Sequence, residues 1–170
     1  DESVKGVVLR VNSPGGSAFG SEQIWHAVEQ LKQTKPVAVS MGDYAASGGY
    51  YLSCGANRIF ANPATLTGSI GIFGLVPNAQ KLLSEKIGLS FDEVKTNKYG
   101  AFPTIERPMT NDEKQKMQTY INRGYDLFIK RCAQGRKMSV DQIKNIAEGR
   151  VWSGKDALKI GLIDELGDMQ

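Results

Sequence analysis

The stretch PVAVSMGDYAASGGYYLS, residues 36–53, sets the fold of this chain and raises its functional question. The apolar run after Pro36 is typical of a buried strand. The small residues around Ser47 are typical of a tight turn that leads into a short helix. Two alanines and two glycines flank Ser47, so no bulky neighbour shields its hydroxyl. The turn is therefore either a close packing point or the seat of an exposed nucleophile.

Strand and helix signals alternate outward from this turn, which predicts an α/β domain with a mostly parallel sheet. Ile24, Ala27, Val28 and Leu31 share one predicted helix face. The sequence TNDE at 110–113 is a capping box that opens a long helix, and Ser139 and Ser153 are predicted to cap two more. The remaining predicted elements are strands at Gly6–Asn12, Val37–Met41, Arg58–Ala61 and Phe91–Lys95, helices at Ser21–Thr34 and Ala79–Lys86, and a last strand in GLIDEL.

Composition narrows the function classes. The chain has 170 residues, 41% of them hydrophobic, enough for one domain with a core. Its net charge of +3 comes from 21 basic and 18 acidic residues mixed along the chain, which argues against a nucleic-acid surface. Cys54 and Cys132 form no metal-binding spacing and are expected to be free buried thiols. No signal peptide or membrane span is recognisable, and both ends look cut, so we expect a fragment of a longer protein.

Two glycine-rich turns carry the candidate chemistry. NSPGGS follows the first strand and AASGG follows the second, and parallel strands bring such turns to the same edge of a sheet. Gly15 and Gly16 can bring bare backbone N–H groups close to a substrate carbonyl. Ser47 and Gly48, at a helix start, can supply a second donor for an oxyanion. The pattern predicts acyl transfer with Ser47 as nucleophile.

The general base is harder to assign. His26 is the only histidine, but it lies in the middle of a predicted helix without an orienting acid, so we expect it to be a surface or core residue. A lysine can act instead where burial holds its amine neutral. Lys98 is the candidate nearest a possible cleft, and the hydroxyl of Ser69, in TGSIG, could hold such an amine in place.

Five motifs give the sequence a resemblance to a known family. VVLRVNSPGGS, SMGDYAASGGYY, ANPATLTGSIGIFG, RPMT and GRVWSGKDALKIGLIDELGD, in this order, resemble the protease IV or signal peptide peptidase A family over essentially all 170 residues. The resemblance implies a Clp protease/crotonase-like fold of repeated β-β-α units. It also implies a serine peptidase with a Ser-Lys dyad, without cofactor or metal, that cleaves signal peptides and other apolar peptides.

The resemblance also assigns roles to residues. Ser47 matches the nucleophile, Gly15 and Gly48 match the oxyanion hole, and Ser69 matches the residue that orients the lysine. In short family members the lysine precedes the R-x-M-T stretch, at or near Gly100 here, two residues from Lys98. In the long tandem form the first half supplies the lysine and the second half the serine. The motifs look more like that second half, so we expect residues 1–170 to form a single peptidase domain. We expect the base to lie outside these residues, with Lys98 as the alternative.

The resemblance extends to location and partners. It implies a bacterial protein anchored to the inner membrane, with its catalytic domain outside the cytoplasm. Its expected partners are cleaved signal peptides, an N-terminal half of the same protein that supplies the lysine, and further copies in a homo-oligomeric ring. GGYYL and GIFGL are candidate walls of an apolar substrate groove, although any one of their residues could equally belong to the core.

Two other functions remain open at this stage. A crotonase-like acyl-CoA hydratase or hydrolase would use the same glycine turns but would need acidic residues in the cleft. The chain could also be a non-catalytic assembly module that packs through the Tyr120–Phe128 face of its long helix.

Overall fold

A computed structural model describes residues 1–169. It contains two compact units. The larger comprises Asp1–Ile72 together with the chain from Gly124 onward, and the smaller is Phe73–Arg123. That residues 1–170 form a single peptidase domain stays a prediction.

The larger unit is built on a sheet that has six strands within the described residues. Pairing is parallel throughout except between β4 and β5. The predicted α/β class with a mostly parallel sheet is therefore confirmed, and the architecture is consistent with a Clp/crotonase-like fold. The strands are β1 (Val7–Ser13), β2 (Val37–Ala46), β3 (Arg58–Ala61), β4 (Leu66–Gly68), β5 (Val151–Ser153) and β6 (Glu165–Leu166).

Helices follow the capping signals of the sequence. Ser139 and Ser153 cap two of them, as predicted, by accepting hydrogen bonds from the N–H groups of Gln142 and Asp156. The capping box of Thr110 is also present, at the start of the long helix. The helices are α1 (Ala18–Leu31), α2 (Gly48–Ser53), α3 (Asn111–Arg136), α4 (Val140–Ile146) and α5 (Gly154–Lys159), with a π-helical segment at Lys81–Lys86.

Strand β2 is the centre of the sheet. It pairs with β1 on one side, and with β3 and then β4 on the other. Its register to β1 shifts after Val11, because the Asn12 side chain lies beside Gly42 and accepts the N–H of Tyr44 at 3.1 Å. A Cβ at Gly42 would stand 2.8 Å from that side chain. This bulge directs the last residues of β2 towards β4.

The core of the larger unit packs α2 and α3 against the sheet. Tyr51 and Phe128 stack with ring centroids 4.7 Å apart. The backbones approach so closely that a Cβ at Gly135 would lie 2.1 Å from the carbonyl oxygen of Cys54. Both cysteines are free and buried, as predicted. This packing fixes α2, which follows Ser47 directly, on a rigid support.

Two sequence predictions for the fold are wrong. Residues 91–95 form no strand, because a short segment makes a strand only where a neighbouring strand pairs with it. In α1, Ile24 is 45% exposed, and the buried residues are Ser21, Trp25 and Val28. The bulky Trp25 is buried in place of Ile24, so the buried face of α1 is rotated by one residue from the predicted face.

The smaller unit has little core of its own. Within residues 73–123 no apolar side chain is fully buried. Glu113 is buried instead, where it accepts two 2.8 Å hydrogen bonds from Arg107 and one from the N–H of Thr110. These bonds lower the pKa of Glu113 to about 2, with the Arg107 guanidinium as the main cause.

No helix among residues 1–169 combines the length and apolarity needed to cross a bilayer.

Candidate active site

Ser47 occupies a strained turn between β2 and α2. Its backbone angles are φ 52° and ψ −118°, a region that residues with a Cβ rarely adopt. The N–H of Ser47 donates to the carbonyl of Gly68 at 2.9 Å, and its carbonyl accepts the N–H of Tyr51 at 2.8 Å. The half-buried side chain makes no capping bond to α2. Strain of this kind is concentrated at functional sites, where surrounding structure holds it.

Small residues after Ser47 are required by close packing. A Cβ at Gly48 would lie 2.5 Å from the Ser21 hydroxyl, and a Cβ at Gly49 would lie 2.5 Å from the carbonyl oxygen of Ser13. Real Cβ contacts are essentially never that short. The first turn of α2 is therefore pressed against the end of β1 and the start of α1.

The NSPGGS turn lies against the Ser47 turn, as the sequence predicts. Gly15 and Gly16 have φ of 109° and 150°, conformations that suit glycine. A Cβ at Gly15 would stand 2.8 Å from both the Gly48 nitrogen and the Ser47 Cβ. The two glycine turns thus meet at the carboxyl ends of β1 and β2, where a substrate carbonyl could approach Ser47.

Two of the four backbone donors expected from the sequence are already bonded within the protein. The N–H of Gly15 donates to the Ser13 hydroxyl at 3.2 Å, and the N–H of Ser47 is bonded to Gly68. Within residues 1–169, the N–H groups of Gly16 and Gly48 have no acceptor. The Gly16 nitrogen lies 3.3 Å from where a Gly48 Cβ would be. The pair best placed to receive an oxyanion is therefore Gly16 and Gly48, while Gly15 serves close packing.

Ser69 lies beside Ser47 because of the register between strands β2 and β4. Ala46 of β2 pairs with Gly68 of β4, so the next residue along each strand is a serine. Ser69 also has a positive φ, of 48°. Its N–H donates to the carbonyl of Arg150 at 2.8 Å, and its hydroxyl donates to the carbonyl of Gly149 at 3.3 Å. The hydroxyl is half-buried and can still accept a hydrogen bond from an amine.

Lys98 lies in the smaller unit in a setting that suits a charged ammonium. Its side chain is 71% exposed and its Nζ lies 2.7 Å from a carboxylate oxygen of Asp112. The bond to Asp112 raises the pKa of Lys98. A general base needs the opposite, a lowered pKa. Lys98 as the base stays a prediction that this environment does not favour.

Other titratable candidates fall outside the Ser47 turn. His26 is exposed on α1, where its ring lies 3.1 Å from the Gln30 amide, as expected for a surface histidine. Burial raises the pKa of the Cys132 thiol well above its ordinary value, with a further contribution from the neighbouring Cys54. No cluster of three metal-ligating side chains occurs in the part of the chain that the structure describes.

A polar cluster braces α2 from the side. Glu22 of α1 accepts hydrogen bonds from Arg131 of α3, at 2.6 Å, and from the hydroxyl of Tyr51. The Arg131 guanidinium also lies 3.7 Å from the ring centroid of Trp25. Burial opposes ionisation of Glu22, but the two hydrogen bonds outweigh it and lower its pKa. The charged carboxylate thereby ties the three helices together at Tyr51, two residues before α2 ends.

Two supporting residues were missed by sequence reasoning. The hydroxyl of Thr67, fully buried in β4, donates to the carbonyl of Ala45 at 2.7 Å, and the hydroxyl of Ser13 holds Gly15. The only available signal was the presence of a hydroxyl residue within each motif, TLTGS and NSPGG. Of the two interpretations left open for GGYYL, groove wall or core, the structure shows core for Tyr50 and Tyr51.

These features define a class. A serine on a strained strand-to-helix turn, next to unpaired backbone N–H groups, is the arrangement of hydrolases that act through a serine nucleophile. Comparison with known families gives the narrower assignment. Residues 29–170 match the model of peptidase family S49, and the chain belongs to that family. The predicted family is thus confirmed, while its placement in the serine-bearing half of a tandem stays a prediction.

Individual relatives agree with this assignment. The chain is 46% identical to Protease 4 of Haemophilus influenzae and 47% identical to Protease 4 of Salmonella typhi, over 98% and 99% of its length. It is 42% identical, over 97% of its length, to the chloroplastic serine protease SPPA of Arabidopsis thaliana. The matches cover 27%, 27% and 24% of those proteins, so the chain spans about a quarter of the length of these relatives.

Proposed function

We propose that this chain carries the nucleophile and oxyanion hole of a serine peptidase of the Ser-Lys type. The main support is the position of Ser47, which is held in a strained turn beside the unpaired N–H groups of Gly16 and Gly48. The names of the relatives support peptide hydrolysis. No comparable feature supports an acyl-CoA hydratase.

The reaction follows from the geometry. A neutral lysine amine takes the proton of the Ser47 hydroxyl while the oxygen attacks the carbonyl carbon of a peptide bond. The N–H groups of Gly16 and Gly48 stabilise the resulting oxyanion. The lysine then returns its proton to the leaving amine, which leaves an acyl-enzyme. Water, deprotonated by the same lysine, releases the acyl group and restores the Ser47 hydroxyl.

The lysine is proposed to come from outside residues 1–170. Lys98 is exposed and paired with Asp112, so it does not provide the desolvated amine that the step needs. The hydroxyl of Ser69 stands next to the Ser47 turn through strand register. We assign Ser69 to accept a hydrogen bond from the incoming amine and to aim it at Ser47. The N-terminal half of the same protein, or a neighbouring copy in a ring, would supply that amine.

The proposed substrates are cleaved signal peptides and other extended apolar peptides. GIFGL, the second predicted groove wall, supports this in one respect, since Phe73 and Leu75 are 91% and 85% exposed. Such side chains could pack against apolar substrate residues. We further propose that the full-length protein is anchored to the bacterial inner membrane, with this part outside the cytoplasm.

The test is covalent labelling of the full-length protein with a fluorophosphonate probe, which reacts with activated serines. We expect labelling of Ser47, no labelling after Ser47→Ala, and hydrolysis of an apolar reporter peptide by the unlabelled protein but neither by the labelled protein nor by Ser47→Ala. Ser69→Ala should lower kcat, whereas Ser84→Ala, which removes an exposed hydroxyl bonded to Gln80, should not. Labelling that persists in Ser47→Ala, or saturable binding of coenzyme A with no peptidase activity, would refute the proposal.

A further inference from the structure

We infer that Ser13 is a positioning residue of the oxyanion hole. This inference rests on the proposed function. The Ser13 hydroxyl fixes the glycine turn so that the N–H of Gly16, rather than that of Gly15, is offered to the substrate. The residue would act through the turn and would not contact the substrate.

The first support is the hydrogen bond within the turn. The N–H of Gly15 donates to the Ser13 hydroxyl at 3.2 Å, two residues back along the chain. Serine side chains stabilise turns in this way by replacing a backbone acceptor. Pro14 lies between them and has a fixed φ. The bond removes Gly15 from the set of free donors and leaves Gly16 as the next N–H along the chain.

The second support is the anchoring of Ser13 itself. Ser13 is the last residue of β1 and pairs with Ala45 of β2. Its carbonyl oxygen would stand 2.5 Å from a Cβ at Gly49, so its backbone is wedged against the first turn of α2. The hydroxyl therefore projects from a fixed point of the sheet, on the same support that carries Ser47.

The third support is the freedom of the two glycines. Gly15 and Gly16 lack a Cβ and have φ of 109° and 150°, so glycine sterics alone leave several conformations open. A Cβ at Gly16 would meet nothing within 4 Å, which shows that packing does not lock this residue. Within the described residues, the Ser13 hydroxyl is the side-chain group that holds the Gly15 amide in one orientation. Without it the Pro14–Gly15 peptide could rotate, and the Gly16 N–H that follows would turn away with it.

Removal of the Ser13 hydroxyl should weaken stabilisation of the transition state and leave substrate binding nearly unchanged, because the oxyanion forms only in the transition state. Removing one oxyanion donor outright typically lowers kcat by about 10²–10³-fold. Removing a group that only orients the donor should cost less. We expect Ser13→Ala to lower kcat about 10-fold or more with KM changed less than about twofold, which is the pattern of an interaction made only in the transition state.

The experiment uses the full-length protein and four variants. Ser13→Ala removes the hydroxyl, and Ser13→Thr keeps it. Ser139→Ala is the matched control, because the Ser139 hydroxyl likewise accepts a backbone N–H, that of Gln142 at 3.1 Å, but caps α4 outside both glycine turns. Ser47→Ala tests the proposed function itself. For each variant we would measure kcat, KM, Tm and the affinity of a peptide aldehyde, which forms a tetrahedral adduct with a serine nucleophile.

The outcomes separate the alternatives. Support requires that Ser13→Ala lowers kcat and aldehyde affinity in parallel, that Ser13→Thr restores both, and that Ser139→Ala keeps kcat within about twofold. The inference is overturned if Ser13→Ala keeps kcat within about twofold, or if its loss matches that of Ser139→Ala and follows Tm. If Ser47→Ala retains peptidase activity, the proposed function fails first, and the role of Ser13 fails with it.

Discussion

The backbone N–H of Ser47 donates to the carbonyl of Gly68 at 2.9 Å. This bond continues the β2–β4 ladder by one residue beyond the pair Ala46 and Gly68. It joins the residue we propose as nucleophile to the strand that leads into Ser69. It also uses the amide of Ser47, so the oxyanion hole must be formed by other residues.

The strain at Ser47 predicts a conflict between stability and activity. With φ at 52°, a side chain at this position is disfavoured, and glycine is not. Ser47→Gly should therefore be more stable than Ser47→Ala by about 1 kcal/mol, although both are inactive. Urea unfolding of the two variants measures the difference. Equal midpoints would show that the turn is not strained.

The environment of Lys98 predicts that it is not the base. The carboxylate of Asp112 raises its pKa, so at neutral pH the amine is protonated and cannot accept the Ser47 proton. In the full-length protein, Lys98→Ala should retain peptidase activity within about twofold, while Ser47→Ala abolishes it. Asp112→Asn serves as the companion variant and should also remain active. A loss in Lys98→Ala equal to that in Ser47→Ala would place the base within this chain.

Glu113 predicts an acid-sensitive step in stability. Its pKa is lowered from 4.5 to about 2 in the folded chain. A lowered folded pKa contributes stability that is fully present above the unfolded value and is lost as pH falls from about 4.5 towards 2. Glu113→Gln should therefore destabilise the chain at pH 7 and have a smaller effect near pH 2. Thermal unfolding across this range measures it, with exposed Glu106→Gln as the control. A difference that does not vary with pH would contradict the assignment.

Two helical glycines predict opposite effects of the same substitution. A Cβ at Gly135 would lie 2.1 Å from the backbone carbonyl of Cys54, whereas at Gly20 the nearest atom would be 3.6 Å away. Gly135→Ala should destabilise the chain by about 1–3 kcal/mol through overpacking. Gly20→Ala should stabilise it by up to about 1 kcal/mol through helix propensity. Chemical denaturation tests both, and a neutral Gly135→Ala would show that α2 and α3 can separate at no cost.

Local signals were read correctly where one short segment contains all the information. The N-caps Ser139 and Ser153 need only the residues that follow them, and Arg58–Ala61 is a short apolar run between turn residues. Pairing is a different matter. Strand β5 has three residues and exists because it pairs with β4, which no local pattern reveals. Conversely, residues 91–95 were predicted as a strand but form none, because no neighbouring strand in the described part of the chain pairs with them.

The candidate site was predictable in outline only. Adjacent carboxyl ends of parallel strands explain why the turns at Gly15 and Ser47 could be expected to meet. Which N–H groups remain free depends on the hydrogen bonds to Ser13 and Gly68, and these depend on backbone angles that the sequence does not encode locally. The sequence could therefore name Gly15 and Gly16 together as donors, but the choice of Gly16 over Gly15 depends on the tertiary structure.

The chain has two tryptophans, and each lies against a neighbour of the Ser47 turn. Trp25 packs under the Arg131 guanidinium beside the cluster that braces α2. Trp152 lies on β5, where its ring would be 2.8 Å from a Cβ at Gly68. Replacing either indole with phenylalanine would leave a single native fluorophore on one flank of the nucleophile. Ligand docking and local melting could then be followed optically from each side in turn, without attaching a dye.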